Sequence, residues 1–230
     1  MRNKAIVIGS GIAGIATSIR LAQKGYEVQV FESNSYPGGK LSAFSLGDFR
    51  FDAGPSLFTM PNFVDELFDL CNEDSKDYFQ YSKKEIGCNY FWEDGTRLKA
   101  YDNQDKFLEE VENVLGVSPE ILKKYWEKAK KKYDLTESIF LKSSLHKMKS
   151  FLNLDTLRAI LNIKALEIGK TLHEVNKAQL QEPHLIQFYD RFATYNGSDP
   201  YQTPGIMTLV QHLEGHYGTF IPKKGMESIT

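Results

Sequence analysis

The sequence predicts an α/β protein: a doubly wound domain that opens with a strand–helix–strand unit, and a separate α+β domain inserted into it. Three observations predict this. A β-branched run at residues 4–8 meets Gly9, after which Ile12, Ile15, Ala16, Ile19 and Ala22 recur at helical spacing up to Gly25. Residues 27–32, Glu-Val-Gln-Val-Phe-Glu, then alternate like a strand, and a βαβ unit demands parallel pairing with a right-handed crossover. Further on, Asp94-Gly95 stands between alternating segments at 88–92 and 96–101, a hairpin signal that belongs to a sheet of its own. At 230 residues the chain is long enough for one large domain or two interleaved ones, and needs no disulfide staples.

The remaining elements come in chain order. Residues 33–40 form a turn-rich loop containing Pro37-Gly38-Gly39, a strand is expected around 49–52, and Gly54-Pro55 punctuates it. Val64, Leu67, Phe68 and Cys71 mark a helix face. A helix over 118–132 has Ser118 as N-cap and Pro119 at its first position, and its lysines 128, 130, 131 and 132 read as a solvated face. Helical periodicity continues through 154–168, 172–178, 184–195 and 205–217, and Thr219 to Pro222 reads as one more strand. The expected division is 1–80 as the first part of the nucleotide domain, 81–217 as the insert, and 218–230 as the return.

Composition limits the function classes. Apolar residues make up 41% and aromatic residues 13%, which excludes a disordered or fibrous chain. The net charge of −2 gives no overall field for nucleic acid, and no nucleic-acid partner is expected. Cys71 and Cys88 have neither metal-site nor redox-motif spacing, so they read as small buried hydrophobes in a protein of a reducing, cytoplasmic compartment. The opening mimics a secretory signal, but its glycines fall at binding-loop spacing, so it reads as mature protein. With no apolar run of roughly 18 residues or more, any membrane contact is expected to be peripheral.

The chemistry is carried by Gly9-Ser10-Gly11-Ile12-Ala13-Gly14, which follows a strand and opens a helix, with Glu32 at the end of the second strand, 21 positions after Gly11. This is the Rossmann-like dinucleotide fingerprint. Gly9 makes the tight turn, Gly11 lets the backbone approach a pyrophosphate, and Gly14 lets helix and strand pack closely. The amides of Ile12 and Ala13 face the diphosphate at the positive end of the helix dipole. Glu32 accepts from ribose hydroxyls and repels a 2′-phosphate. The fingerprint does not separate NAD from FAD.

Two segments beyond it do. Tyr36-Pro-Gly38-Gly39-Lys40-Leu-Ser42 lies just past Glu32, and Phe51-Asp-Ala-Gly54-Pro55-Ser56-Leu-Phe-Thr-Met-Pro61 comes next. These segments, with residues 195–200, 204–214 and 220–226, resemble the flavin-dependent desaturases of carotenoid biosynthesis, within the wider group of amine-oxidase-like flavoproteins. The resemblance implies FAD, with NAD as the runner-up, on a Rossmann-like doubly wound FAD-binding domain bearing an inserted α+β substrate domain. It implies that a Gly-Gly-Arg loop wraps the diphosphate and ribityl portion. Here the arginine is Lys40, which keeps the charge without the bidentate fork. Gly38, Gly39 and Lys40 are then cofactor contacts, and Gly54, Pro55 and Ser56 lie near the isoalloxazine. In the return, Lys224 replaces the first glycine of a Pro-x-Gly-Gly pattern. Members of the family are about twice this length, so the sequence corresponds to an N-terminal half. The implied reaction oxidises a carbon–carbon single bond beside a polyene, with a carotenoid, and more closely a hydroxylated one, as substrate. No catalytic acid or base is assigned. A carotenoid isomerase using reduced flavin and a non-catalytic flavin-binding fragment are the alternatives.

Other constellations carry less. His212 and His216 share a helix face with Glu214 opposite, so no metal site is expected, and His146, His173 and His184 read as exposed. No nucleophile elbow is present, and Cys71 lacks a positioned base. Over 139–168, Phe140, Leu141, Leu145, Met148, Phe151, Leu152, Leu154, Leu157, Ile160 and Leu161 are interspersed with Lys142, Lys147, Lys149, Arg158 and Lys164. That pattern suits a peripheral membrane surface, which would make the protein cytoplasmic but membrane-associated; the competing reading packs the same side chains against the inserted sheet. No oligomeric state is legible.

Overall fold

A computed structural model describes residues 3–144, 146–147 and 151–230. The chain forms two compact units: residues up to Lys84 together with Gly218–Thr230, and Glu85–Tyr217.

In the first unit, β1 (Lys4–Ile8), α1 (Ile12–Gln23) and β2 (Glu27–Phe31) form the expected βαβ start. The strands pair in parallel, from Lys4 opposite Glu27 to Ile8 opposite Phe31. Val7 points toward α1, where its Cγ1 is 3.6 Å from the place a Gly14 Cβ would take. The alternate residues Ile6 and Ile8 lie on the other face and are 65% and 88% exposed. β3 (Ala43–Leu46) and β4 (Phe49–Asp52) make an antiparallel ribbon turned at Gly47, whose φ is +59°. α2 (Asn62–Leu70) follows, and β5 (Tyr81–Lys83) pairs antiparallel with the chain's last strand, β8 (Phe220–Pro222). A small core of Leu41, Phe58, Phe79 and Met226 gathers Val64, Phe68, Tyr81 and Phe220 around it. Its rings meet edge-on, Tyr81 lying 5.4 Å from Phe58 and 5.6 Å from Phe220.

The second unit starts with the hairpin β6 (Ile86–Phe91) and β7 (Arg97–Tyr101). Gly95 takes φ +92° at its tip, and Asp94 accepts from the Thr96 amide, which is why Asp-Gly turns the chain here. α3 (Gln104–Leu115) is capped by Asn103 and stopped by left-handed Gly116. α4 (Pro119–Phe140) is capped by Ser118, with Pro119 in the first turn, and runs eight residues past the expected end. α5 (Leu154–Leu161), α6 (Leu172–Leu180), α7 (Pro183–Asp190) and the short α8 (Val210–His212) complete the unit. Leu98, Phe107, Val111, Leu122, Tyr125, Leu185, Phe188 and Tyr189 are central to its core.

Four readings of the sequence are corrected. Lys132 is not part of a solvated face. It is 1% exposed, and its Nζ donates to Glu167 Oε2 (2.7 Å), Thr208 Oγ1 (2.7 Å) and the Gly205 carbonyl (3.0 Å). Lys132 lies on the stripe Leu122, Tyr125, Ala129, Tyr133 and Thr136, all buried, so helical spacing already marked it as inward. Second, the helix expected over 154–168 stops at Leu161: the amide of Asn162 bonds back to Arg158 and Ala159, and Glu167 turns left-handed. Third, the large apolar side chains of α5 do not pack inward, although Leu166 beyond it is buried. Only Ala159 of α5 is buried, while Leu154, Leu157, Ile160 and Leu161 are 82%, 52%, 58% and 76% exposed. Leu145, Met148 and Lys149 of the same stretch lie outside the described residues. Fourth, His173 and His184 are half-buried and bonded rather than exposed: His173 Nδ1 pairs with Asp190 (2.7 Å), and His184 lies between Asp94 (2.9 Å) and Glu182 (2.9 Å).

Candidate cofactor site

Three loops of the first unit converge at the N-terminus of α1. Gly9 has φ +95°, a backbone shape that side chains resist, and its amide donates to the Phe31 carbonyl at 2.7 Å, tying the ends of β1 and β2 together. Gly14 is glycine for a packing reason: a Cβ there would sit 2.0 Å from the Gly9 carbonyl oxygen. Gly11 differs from both. It is the N-cap of α1 with φ −65° and ψ 172°, and a Cβ on it would meet nothing within 4 Å. Its freedom faces open space. No side chain caps α1 and no acid occupies its first turn. The amides of Ile12 and Ala13 therefore have no intrahelical acceptor and stand at the positive end of the dipole. Both residues are exposed.

The second loop lies against the first. The Gly38 amide donates to the Ser10 carbonyl (2.8 Å), Gly11 and Gly38 form an isolated parallel bridge, and a Cβ on Gly39 would be 3.3 Å from Gly11 Cα. Gly38 and Gly39 have φ +100° and +60°, so this loop too is built on backbone shapes that glycine reaches freely. The third loop touches the second: a Gly54 Cβ would lie 1.8 Å from the Lys40 carbonyl oxygen. The Lys40 side chain, Pro55 and Ser56 are exposed.

Glu32 closes the arrangement. Its Oε2 accepts from the Ser10 amide (2.7 Å) and the Ser10 hydroxyl (2.9 Å), and its Oε1 from the Asn34 amide (2.9 Å), Asn34 Nδ2 (3.1 Å) and the Ser33 hydroxyl (3.3 Å). The Asn34 amide, and then the Ser10 amide and hydroxyl, hold its carboxyl down to about 2. Glu32 is an anion throughout the physiological range.

The structure thus brings Gly9, Ser10, Gly11, Ile12, Ala13, Gly14, Glu32, Gly38, Gly39, Lys40 and Gly54 together, while no hydrogen bond ties Pro55 or Ser56 to the glycine loops among the described residues. Residues missed from the sequence hold the chain's closing turn beside them. Arg50 pairs with Asp52 (3.0 Å) and Glu227 (3.4 Å), the Met226 amide donates to Asp52 (3.1 Å), and Gly225 takes φ +85° beside the Arg50 guanidinium. Thr230 reaches Gly38, where its side chain would lie 2.9 Å from an added Cβ. These contacts join residues far apart in sequence, and no local pattern announces them. A cradle of free helix amides, glycine-lined backbone and one fixed anion can take the diphosphate of a dinucleotide and read its ribose.

A match to the family described as flavin-containing amine oxidoreductases covers residues 12–230. The chain belongs to that family. Its cofactor is FAD, which sets the nicotinamide alternative aside. Among curated relatives, this flavoprotein is 48% identical over 227 residues to a 1-hydroxycarotenoid 3,4-desaturase of Flavobacterium sp. (strain P99-3), covering 99% of this chain and 46% of that protein. It is 29% identical to a 4,4'-diapolycopene oxygenase of Methylomonas sp, covering 97% of this chain and 44% of that one. The chain spans about half the length of the curated relatives it matches. Among solved structures, cyclohexylamine oxidase from Brevibacterium oxydans IH-35A superposes with a TM-score of 0.59 at 18% identity, over 99% of this chain and 47% of that one. A putrescine oxidase bound to putrescine gives 0.59 at 15% identity, over 99% and 47%. At such identities these two establish the fold, an α/β FAD-binding one, and the family the chain belongs to is one of oxidoreductases.

Proposed function

We propose that the complete protein is an FAD-dependent carotenoid desaturase acting on a hydroxylated carotenoid. One observation carries this reading: 48% identity, sustained over 227 residues, to a protein named for that reaction. FAD is held by Gly9, Ser10, Gly11, Ile12, Ala13, Gly14, Glu32, Gly38, Gly39 and Lys40, with Gly54, Pro55 and Ser56 toward the ring. Residues 1–80 and 218–230 belong to a Rossmann-like doubly wound FAD-binding domain, and residues 81–217 are the inserted substrate domain. The reaction removes two hydrogens from adjacent carbons beside a polyene. Bound FAD would supply the hydride acceptor, taking one of these hydrogens as hydride while the other is lost as a proton and a carbon–carbon double bond forms. The extended π system spreads the developing charge, so the protein's part is to hold an apolar chain and exclude water.

A lipid-soluble substrate points to a bilayer, and α5 supplies a surface for one. Leu154, Leu157, Ile160 and Leu161 are exposed together, with Leu152 at 82% and Ile163 at 53%, beside exposed Arg158 and Lys164. A monomer in water rarely presents such a contiguous apolar face. Insertion of its leucines at the acyl boundary, with the cations on anionic headgroups, is the proposed attachment. No helix among the described residues is long and apolar enough to cross a membrane.

The experiment supplies purified protein with FAD, an electron acceptor and vesicles carrying either a hydroxylated or an unhydroxylated carotene. Loss of two hydrogens and a red-shifted absorption from the hydroxylated substrate is the expected result. An isomerised product with unchanged composition would instead assign the isomerase reading, and an oxygenated product the chemistry named for the Methylomonas relative. In the same vesicles, L154Q/L161Q should abolish flotation and leave the melting temperature in place; flotation retained by the variant refutes the α5 surface.

A further inference from the structure

We propose that a recess of the second unit, lined by α3, α4 and the turn that follows α8, binds a phosphate-class anion between Lys123, Lys130, His212 and His216. The recess measures about 240 Å³, and these four side chains supply most of its polar lining. His212 is the unusual member. It is only 7% exposed, and no hydrogen-bond partner for its ring occurs among the described residues. Its contacts are aromatic instead: His216 stacks on it at 4.7 Å and 11°, and Tyr133 and Tyr217 lie 5.2 Å and 5.8 Å away. A buried imidazole that lines a recess without a partner there has donor and acceptor capacity to spare.

The other lining groups decide the sign of the ligand. Trp126 cannot donate into the recess, because its Nε1 already donates to Tyr189 (2.8 Å), so it is an apolar wall. Gln104 Nε2 is bonded to the Gly215 carbonyl (3.1 Å). Glu127 is the one carboxylate of the lining, and Asp134 pairs with Lys130 (2.6 Å) from the next turn of α4. Glu214, on the same turn as His216, points elsewhere, toward Arg191 (2.6 Å) and Tyr195 (2.6 Å). Lys123 and Lys130 bring cations and the two imidazoles bring ring N–H donors, which together suit an anion with several acceptor oxygens, while Glu127 and the Asp134 partner of Lys130 oppose it.

The stacked pair also makes binding depend on protons. Burial, then His216 and Lys130, hold His212 down to about 4, with only Asp134 opposing. An anion in the recess removes that penalty and raises the value. Binding therefore takes up protons and tightens as pH falls toward the histidine range. A phospholipid headgroup and a free phosphate ester present the same oxygens, and this reading stands independently of the flavin chemistry.

The test follows the histidine ring resonances of the full chain by NMR during titration with inorganic phosphate at pH 6 and constant ionic strength. Saturable shifts of His212 and His216, with His146 and His173 unmoved, are expected, along with at least tenfold weaker binding in K123Q/K130Q at an unchanged melting temperature. Shifts that are absent, that track ionic strength alone, or that persist in K123Q/K130Q overturn the proposal. A second arm uses vesicles of phosphatidylcholine with and without phosphatidylglycerol. Phosphate competing with anionic vesicles assigns a lipid headgroup, whereas saturation by phosphate with vesicle binding unaffected assigns a soluble phosphate ester.

Discussion

Adding one methyl group at Gly11 and, separately, at Gly14 distinguishes a glycine kept for a ligand from a glycine kept for the fold. At Gly14 the new Cβ would stand 2.0 Å from the Gly9 carbonyl oxygen, so β1 and α1 must part. Overpacking of that kind costs about 1–3 kcal/mol or more, whether or not flavin is bound. At Gly11 the new Cβ meets nothing within 4 Å, and φ −65° with ψ 172° is open to any residue. The cost without ligand is confined to a poorer N-cap, up to about 1 kcal/mol. With FAD bound, the same methyl stands where a phosphate oxygen must come within about 2.9 Å of the backbone amides. Charging that clash at about 1–3 kcal/mol weakens FAD roughly fivefold to 150-fold. At a free FAD concentration about a hundred times the original Kd, the stabilisation by ligand falls from about 2.7 to about 1.4 kcal/mol for a tenfold loss. The assay is an FAD titration by flavin fluorescence, paired with melting curves of the protein with and without FAD. Gly14→Ala lowers both melts, and Gly11→Ala lowers mainly the one with FAD. Undiminished affinity in a folded Gly11→Ala protein would remove the diphosphate from this cradle.

Three further outcomes are expected. Lys132→Met leaves Glu167 with only its longer pair to Lys170 (3.7 Å) and takes a donor from the Thr208 hydroxyl oxygen, and chemical denaturation should show a loss of about 2–3 kcal/mol, below the range of a fully buried pair because the Glu167 side chain keeps 21% exposure. Glu32 is depressed to about 2, so its favourable bonds are fully present above the ordinary carboxylate range and are lost as pH falls through about 2; carbon NMR of its carboxyl should show no titration between pH 7 and 4. His184 is raised, chiefly by its bond to Glu182 and with help from Asp94 across the hairpin tip, so its contribution is present below the ordinary histidine range and fades as pH rises through the raised value; His184→Gln should flatten the pH dependence of the second unit's melt in that window.

What was legible in the sequence is what short-range geometry dictates. The spacing of Gly9, Gly11 and Gly14 led to a strand, a loop and a helix in the expected places, and Asp94-Gly95 led to a two-stranded hairpin, because positive φ and close backbone approach are demands that few residues meet. What was not legible depends on distant partners. Lys132 was read as surface because lysines usually are, yet its carbonyl and hydroxyl acceptors lie 73 and 76 positions away. β5 has three residues and exists through β8, nearly the whole inserted unit later in the chain. His184 looked solitary until the hairpin tip brought Asp94 to it. The apolar run around α5 erred in the opposite direction: its composition suggests a core helix, but a single small residue, Ala159, is the one buried position of that helix.

Glu32 shows how far the cradle is set before any cofactor arrives, and which part of it has to supply affinity. Sequence reasoning gave this residue to the ribose as though its oxygens were vacant. Oε2 already holds the Ser10 amide and hydroxyl, and Oε1 holds the Asn34 amide, Asn34 Nδ2 and the Ser33 hydroxyl at longer range. A ribose hydroxyl that binds here exchanges with one of the side-chain hydroxyls, most readily that of Ser33, whose 3.3 Å bond is the longest. Trading one hydroxyl–carboxylate bond for another of the same kind changes the free energy little. The two backbone amides stay in place and keep the carboxyl ionised. In the proposed FAD site, Glu32 would then select, through a charge that rejects a 2′-phosphate and a position fixed by its own loop, more than it attracts. Attraction falls to the uncapped start of α1, where Ile12 and Ala13 have amides without acceptors and no acid competes for them. A cofactor with a diphosphate and an unmodified ribose satisfies both ends at once, and FAD has that chemistry.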